Sequence, residues 1–114
     1  YGAEVIGMAI SQEARAQRQR VLELAFSTSR RLGCAFDPGA IQVDDRFLGD
    51  GYAKSSPAGE AAVRLFARSE GILMDTVYAG KAAAGLLYGA EHDEWDRQEP
   101  VLFVHTGGNA GLYY

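Results

Sequence analysis

Two short segments of this chain carry the residue types that chemistry at a ligand site requires. The first, residues 76–85, holds Tyr78 in a connector bounded by glycine, where a tyrosine can project into a cleft or form an amphipathic rim. The second, residues 104–108, runs from an apolar stretch into Thr106 and a glycine pair. Glycines let a backbone approach a ligand closely, and the free amides of a helix start attract anions. A tight turn is the alternative interpretation of this second segment.

Lys81 follows Gly80 and invites comparison with a phosphate-binding loop. That motif needs glycine at position 75 and serine or threonine at position 82, whereas this chain has Asp75 and Ala82. Nucleotide binding of that type is therefore excluded. A lysine in the first turn of a helix usually faces solvent, so we expect Lys81 to be solvated rather than to form a Schiff base.

Metal and serine-nucleophile chemistry lack their sequence motifs. His92 and His105 are far apart, and there is neither a second cysteine nor an HExxH pair. No Gly-x-Ser-x-Gly elbow occurs. Asp44 and Asp45 are adjacent in a predicted strand and point to opposite faces, which makes them a poor acid/base pair. We predict no metal ligand in this chain.

The elements that position these segments alternate between strand and helix. Apolar runs and capping residues predict strands at 3–10, 41–44 and 101–104, and helices from Ser11 to Leu32, from Ser56-Pro57 to before Gly71, and at 81–91. Such alternation predicts an α/β fold with a parallel sheet. Ligands bind such sheets at the carboxyl ends of the strands, which is where residues 104–108 fall.

The predicted sheet is thin for an independent protein. We expect a three-layer α/β arrangement, a mainly parallel sheet with helices on both faces, within a single domain over residues 1–114 with no internal linker. Three strands leave two open edges and cover their apolar surface poorly. We therefore expect the fold to be incomplete and to need a larger partner.

Composition narrows the class of protein. The 114 residues carry a net charge of −4, and an acidic chain lacks the basic surplus that nucleic-acid or anionic-membrane binding uses. No apolar run approaches the ~20 residues of a membrane span, and no signal peptide is visible. The single cysteine, Cys34, fits a reducing compartment, so we expect a cytoplasmic location. The sequence opens with Tyr1 rather than with methionine, so we expect the chain to be a fragment of a longer protein.

Three sequence blocks together resemble a known family. Residues 70–85 (EGILMDTVYAGKAAAG), residues 101–108 (VLFVHTGG) and Asp50-Gly51-Tyr52 before a Ser-Pro-capped helix occur in the family's order and spacing. They resemble the C-terminal part of the D-cysteine desulfhydrase and 1-aminocyclopropane-1-carboxylate deaminase family. Its members are pyridoxal-phosphate (PLP) enzymes of the tryptophan-synthase-β-like fold. The resemblance covers essentially the whole chain and is strongest between residues 49 and 108.

The resemblance implies roles for five residues. Tyr78 and Tyr52 are similar to the family's active-site tyrosines, and Ala79, Thr106 and Gly107 stand at positions beside the cofactor. Thr106 resembles the residue next to the pyridine nitrogen, where a neutral hydroxyl tunes the ring as an electron sink. The cyclopropane-opening deaminases carry glutamate directly after the motif tyrosine. Ala79 therefore favours β-elimination over ring opening.

The resemblance also implies what this chain lacks. In the family the Schiff-base lysine, the residue that stacks on the cofactor and the phosphate-binding loop lie in the N-terminal half, and Lys81 is not the cofactor lysine. We therefore expect this chain to be inactive alone and to form one wall of an active site completed by that N-terminal half.

The expected enzyme is a homodimer that acts on a small amino acid. D-cysteine β-elimination to pyruvate, sulfide and ammonia is the leading reaction, and 1-aminocyclopropane-1-carboxylate deamination and cysteate sulfo-lysis are alternatives. A non-catalytic truncated homologue that docks with a partner half is the alternative from another class.

Overall fold

The computed structural model describes residues 3–96 and 98–113; Tyr1 lies outside the described residues. The elements follow in the order β1 (Ile6–Met8), α1 (Ala14–Leu32), β2 (Gln42–Asp44), α2 (Pro57–Ser69) and α3 (Ala79–Glu91). Short 3-10 helices occur at Pro38–Ala40 and Asn109–Tyr113. Strand and helix alternate over the first half as the sequence predicts.

The two strands form a parallel pair. Ile6 lies opposite Gln42, Met8 lies opposite Asp44, and the Ala9 N–H extends the ladder by donating to the Asp44 carbonyl at 2.7 Å. Parallel strands need a crossover connection, and α1 provides it. The predicted α/β class with a parallel sheet is thus confirmed at the level of this β1–α1–β2 unit.

The third predicted strand, residues 101–104, is wrong. The segment pairs with no strand of the described chain, and Leu102 is 86% exposed. Phe103 alone turns inward, with its ring centroid 6.2 Å from that of Phe66. An extended segment becomes a strand only where a second backbone accepts and donates its hydrogen bonds, and no described strand does so here.

Most helix ends follow local capping signals. The buried Ser56 Oγ accepts the Gly59 N–H at 3.1 Å, and α1 ends at Gly33 in the left-handed conformation, φ +66°, as predicted. The start of α1 differs from the expectation that Ser11 caps it. The helix begins at Ala14, whose N–H donates to Asp45 Oδ2 at 2.6 Å. A carboxylate beyond β2 thus replaces the local cap.

Close packing of α2 against α3 forms the centre of the molecule. A Cβ on Gly80 would lie 2.9 Å from Val63 Cγ2 and 3.0 Å from the Gly59 carbonyl oxygen, so only glycine lets the two backbones approach this closely. The buried core around this crossing consists of small residues and one methionine: Ala62, Met74, Ala79, Ala83 and Ala84. This packing fixes the start of α3 against α2.

The long helix α1 contrasts with that core. None of its residues is buried, and Leu24, Phe26 and Leu32 are exposed. The apolar side chains of α1 are therefore only partly covered by the described residues. No helix in the described part of the chain is long and apolar enough to cross a membrane.

Candidate active site at the start of α3

A buried carboxylate organises the turn that leads into α3. Asp75 is 2% exposed. Its Oδ1 accepts the N–H groups of Val77, at 2.9 Å, and Tyr78, and its Oδ2 accepts that of Ala79 at 3.0 Å. Backbone amides at a helix start have no partner within the helix, and a negative charge there also suits the helix dipole. Asp75 thereby fixes the backbone that carries Tyr78.

The loop before α2 carries Tyr52. Gly49 (φ +61°), Gly51 (φ +107°) and Ala53 (φ +59°) all adopt positive φ, which is uncommon for a residue with a side chain such as Ala53. This backbone places the Tyr52 side chain outward, with 61% of the residue exposed. We call residues 49–53 the tyrosine loop.

Tyr52 and Tyr78 meet, although 26 positions separate them in the chain. Their ring centroids lie 5.8 Å apart at an interplanar angle of 49°. A hydrogen bond with Tyr52 raises the pKa of Tyr78 above its ordinary value, and burial and the charge of Asp75 add to this rise. At neutral pH Tyr78 is therefore a proton donor.

Lys81 lies under the tyrosine loop, and the expectation that it faces solvent is wrong. The residue is 0% exposed, and its Nζ donates to the Gly51 carbonyl oxygen at 2.7 Å. Burial lowers the pKa of Lys81, while the nearby charge of Asp50 opposes that change. Its amine is bonded to the tyrosine loop, and a rule based only on position in the first turn of a helix does not consider such a contact.

The segment that contains Thr106 lies against Asp75. The His105 ring accepts the Gly107 N–H at Nδ1, 3.2 Å away, so its Nε2 carries the proton and donates to the Leu73 carbonyl at 3.2 Å. A Cβ on Gly108 would lie only 2.0 Å from Asp75 Oδ2. Glycine at position 108 therefore lets this segment pass over the cap of α3.

The predicted site residues thus fall into three groups. The structure brings Tyr52 and Tyr78 together, and it places Thr106 and Gly107 on an exposed segment beside Asp75. Ala79 is different, since its methyl group belongs to the buried core and its N–H is bonded to Asp75. The cofactor-binding roles of Thr106, Gly107 and Ala79 stay predictions.

Other ionisable groups serve the fold. Arg46 forms ion pairs of 2.6 Å with both Asp44 and Glu94, and its guanidinium lies 4.9 Å from the centroid of the Tyr88 ring. Burial alone would raise the pKa of Asp44, but the hydrogen bonds and charge of Arg46 outweigh burial and lower it. Hydrogen bonds to Arg46 likewise lower the pKa of Glu94. Across residues 3–96 and 98–113, no group of three or more His, Cys, Asp or Glu could hold a metal ion.

Sequence reasoning missed the roles of Asp75 and Lys81. An aspartate just before a helical pattern is a capping signal, and Asp75-Thr-Val-Tyr could have been interpreted so. The signal for Lys81 is weaker. Its helix is made of alanine and glycine on nearly every side, which is typical of a buried helix.

The fold and site define an α/β segment whose tyrosine pair stands at a helix start. No family model matches the chain. Over 110 residues it is 40% identical to a D-cysteine desulfhydrase of Yersinia enterocolitica. Over 111 residues it is 40% identical to proteins of the same name from Yersinia pestis and Klebsiella pneumoniae. These alignments cover 96–97% of this chain and 33–34% of the relatives.

The resemblance to the D-cysteine desulfhydrase family is therefore confirmed. The chain spans about a third of the length of the curated relatives that it matches, which is consistent with a C-terminal part.

Proposed function

We propose that this chain is the C-terminal part of a PLP-dependent lyase that converts D-cysteine to pyruvate, sulfide and ammonia. The contact between Tyr52 and Tyr78 carries the proposal, because it joins two residues that the family resemblance assigns to one active site. The name of the curated relatives, D-cysteine desulfhydrase, supports this substrate over the cyclopropane amino acid and cysteate.

The residues present fit the share of a PLP site that this chain would contribute. Thr106 offers an exposed neutral hydroxyl, and Gly107 at φ +116° and Gly108 at φ +96° keep the adjoining backbone free of side chains. Thr106 would lie at the pyridine nitrogen, with Gly107 and the Ala79 backbone alongside. When bound, PLP supplies the electron sink that stabilises negative charge at the substrate α-carbon.

This chain's own residues would then act as donors and supports. The pKa of Tyr78 lies above its ordinary value beside Tyr52, so its Oη carries a proton that it can donate to an atom that becomes basic during elimination. Tyr52 orients that phenol. Thr106 would pair with the ring nitrogen without a carboxylate charge, which would moderate the electron sink.

The rest of the enzyme would cover the surfaces that this chain leaves open. Leu24, Phe26 and Leu32 of α1 are exposed, as are the side chains at positions 101, 102 and 104, and the relatives are about three times as long as the aligned segment. We propose that the N-terminal part of the same enzyme packs there and supplies the cofactor lysine and phosphate loop. We further propose that residues 1–114 lie within one domain, that the enzyme is a homodimer, and that it works in the cytoplasm.

The test uses the complete protein encoded by the reading frame that contains these residues. With PLP added, we expect pyruvate and sulfide from D-cysteine, and a drop of about 10²–10⁴ in kcat for Tyr78→Phe, the range for general acid–base catalysis. Tyr113→Phe is the matched control, since Tyr113 is 85% exposed and lies outside the tyrosine pair.

Three outcomes would contradict the proposal. Turnover of 1-aminocyclopropane-1-carboxylate or cysteate in place of D-cysteine would move the reaction to the alternatives. Equal activity of Tyr78→Phe and wild type would remove the tyrosine from the chemistry. A complete frame without an upstream cofactor lysine would favour the non-catalytic docking protein.

A further inference from the structure

The largest side chains without exposed surface are those of Lys81 and Met74, and a buried lysine requires an explanation. Removing an ammonium group from water is costly unless polar partners replace the water. A methionine or leucine at position 81 would suit the surrounding core of alanines and glycines better. The lysine therefore serves a purpose other than packing.

The hydrogen bond of Lys81 connects it to the backbone of the tyrosine loop. Lys81 Nζ donates to the carbonyl oxygen of Gly51 at 2.7 Å. That carbonyl belongs to the planar peptide unit that also contains the Tyr52 N–H. Gly51 has φ +107° and Ala53 has φ +59°, so the backbone on either side of Tyr52 adopts conformations that are costly for most residues. A bond from the buried helix fixes the peptide between them.

Lys81 is equally tied to the other tyrosine. It lies in the first turn of α3, three residues after Tyr78, which directly precedes the helix. The Asp75 carboxylate fixes the backbone of Tyr78 from one side, and α3 carries Lys81 directly to the tyrosine loop on the other. The Lys81 side chain thus links the tyrosine loop, which carries Tyr52, to the start of α3, which follows Tyr78.

We propose that Lys81 is a positioning residue that holds Tyr52 against Tyr78 through the Gly51 carbonyl. This inference rests on the proposed function, since it assigns the lysine to the geometry of that tyrosine pair. The lysine binds neither cofactor nor substrate. The Lys81 side chain reaches from α3 to the tyrosine loop. The distance between the two tyrosine rings depends on its hydrogen bond to the Gly51 carbonyl oxygen.

The experiment compares Lys81→Met with Tyr52→Phe and with the double variant in the complete PLP-loaded protein. Methionine keeps most of the stem and removes the donor. We expect the kcat of Lys81→Met to fall as it does for Tyr52→Phe, and the double variant to lie within about threefold of Tyr52→Phe, because residues that act as a unit are non-additive. Lys54→Met is the control, since Lys54 is an exposed lysine just beyond the same loop.

A second readout does not depend on turnover. With ¹³C-labelled tyrosine, nuclear magnetic resonance reports the contact between the two rings and the ionisation of Tyr78 in the complete protein. We expect Lys81→Met to abolish the ring contact and to bring the Tyr78 pKa down toward its ordinary value, while Lys54→Met preserves both. If the methionine variant fails to fold, Lys81→Leu, which also lacks a donor, replaces it in both measurements.

The outcomes separate this inference from the proposed function. Absence of D-cysteine turnover in the wild type would refute the function, and the ring contact would still test the lysine. Multiplicative losses in the double variant, or an intact ring contact in Lys81→Met, would overturn the positioning role. Loss of the PLP absorbance band in Lys81→Met alone would also overturn it, by assigning the lysine to the cofactor.

Discussion

Asp75→Asn is the substitution that tests most directly how the start of α3 is held. Asparagine has nearly the same shape as aspartate, but one carboxylate oxygen becomes an NH₂ group. The carbonyl oxygen that remains can still accept the N–H groups of Val77 and Tyr78, as Oδ1 does now. The NH₂ group then faces the Ala79 N–H, which at present donates to Oδ2 at 3.0 Å.

The expected cost follows from these contacts. A hydrogen bond to a charged group contributes about 1.5–3 kcal/mol, and the Ala79 N–H would be buried without a partner. Loss of negative charge at a helix N-terminus adds about 0.3–1 kcal/mol. We therefore expect Asp75→Asn to lower the free energy of unfolding by about 2–4 kcal/mol in total.

The matched control is Asp37→Asn. Asp37 Oδ1 accepts the Gly39 N–H at 2.8 Å in the same kind of cap, but in an exposed turn. Water can replace that bond, so we expect less than about 1 kcal/mol. Urea unfolding of the complete protein measures both values, and hydrogen exchange of the Ala79 amide locates the effect. Equal destabilisation by the two variants, or unchanged protection at Ala79, would refute this reasoning.

Two further predictions concern packing and pH. Gly80→Ala places a Cβ 2.9 Å from a backbone oxygen and a valine methyl, so overpacking of about 1–3 kcal/mol should outweigh the ~1 kcal/mol gain in helix propensity. Gly85→Ala should cost less in the same urea titration, because its nearest neighbour is the flexible end of a methionine; the reverse order would contradict the close crossing. Arg46 lowers the pKa values of Asp44 and Glu94, so its ion pairs stabilise the fold above the ordinary carboxyl pKa values and lose this effect as pH falls through the lowered ones. Arg46→Met should therefore flatten the decline of the melting temperature below about pH 5, and a decline as steep as that of the wild type would exclude the ion pairs as its cause.

Features set by local chemistry could be predicted from the sequence. Ser56 and Gly33 cap their helices as expected, because capping depends on a few neighbouring residues. The tyrosines were selected by their family motif and the structure places their rings close together, while their catalytic roles stay predictions. The parallel pairing of β1 and β2 followed from the alternation of strand and helix.

Features set by distant parts of the chain could not be predicted. Residues 101–104 have the composition of a strand, but pairing depends on a partner backbone that composition does not reveal. Ser11 has the composition of a cap, yet Asp45 supplies the bond from across the fold. Lys81 is buried because distant segments of the chain pack against α3. Its position in the first turn of a helix does not reveal this packing.

The segment at residues 101–104 affects how residues 1–114 behave when they are prepared without the rest of the proposed enzyme. Its apolar side chains at positions 101, 102 and 104 are exposed, and it pairs with no described strand. Unpaired backbone with exposed apolar side chains, although it is not a strand here, is a template on which further copies can add by backbone hydrogen bonding. Isolated preparations of this chain should therefore form β-rich aggregates, and chaperones that recognise extended apolar peptides should bind it at this segment.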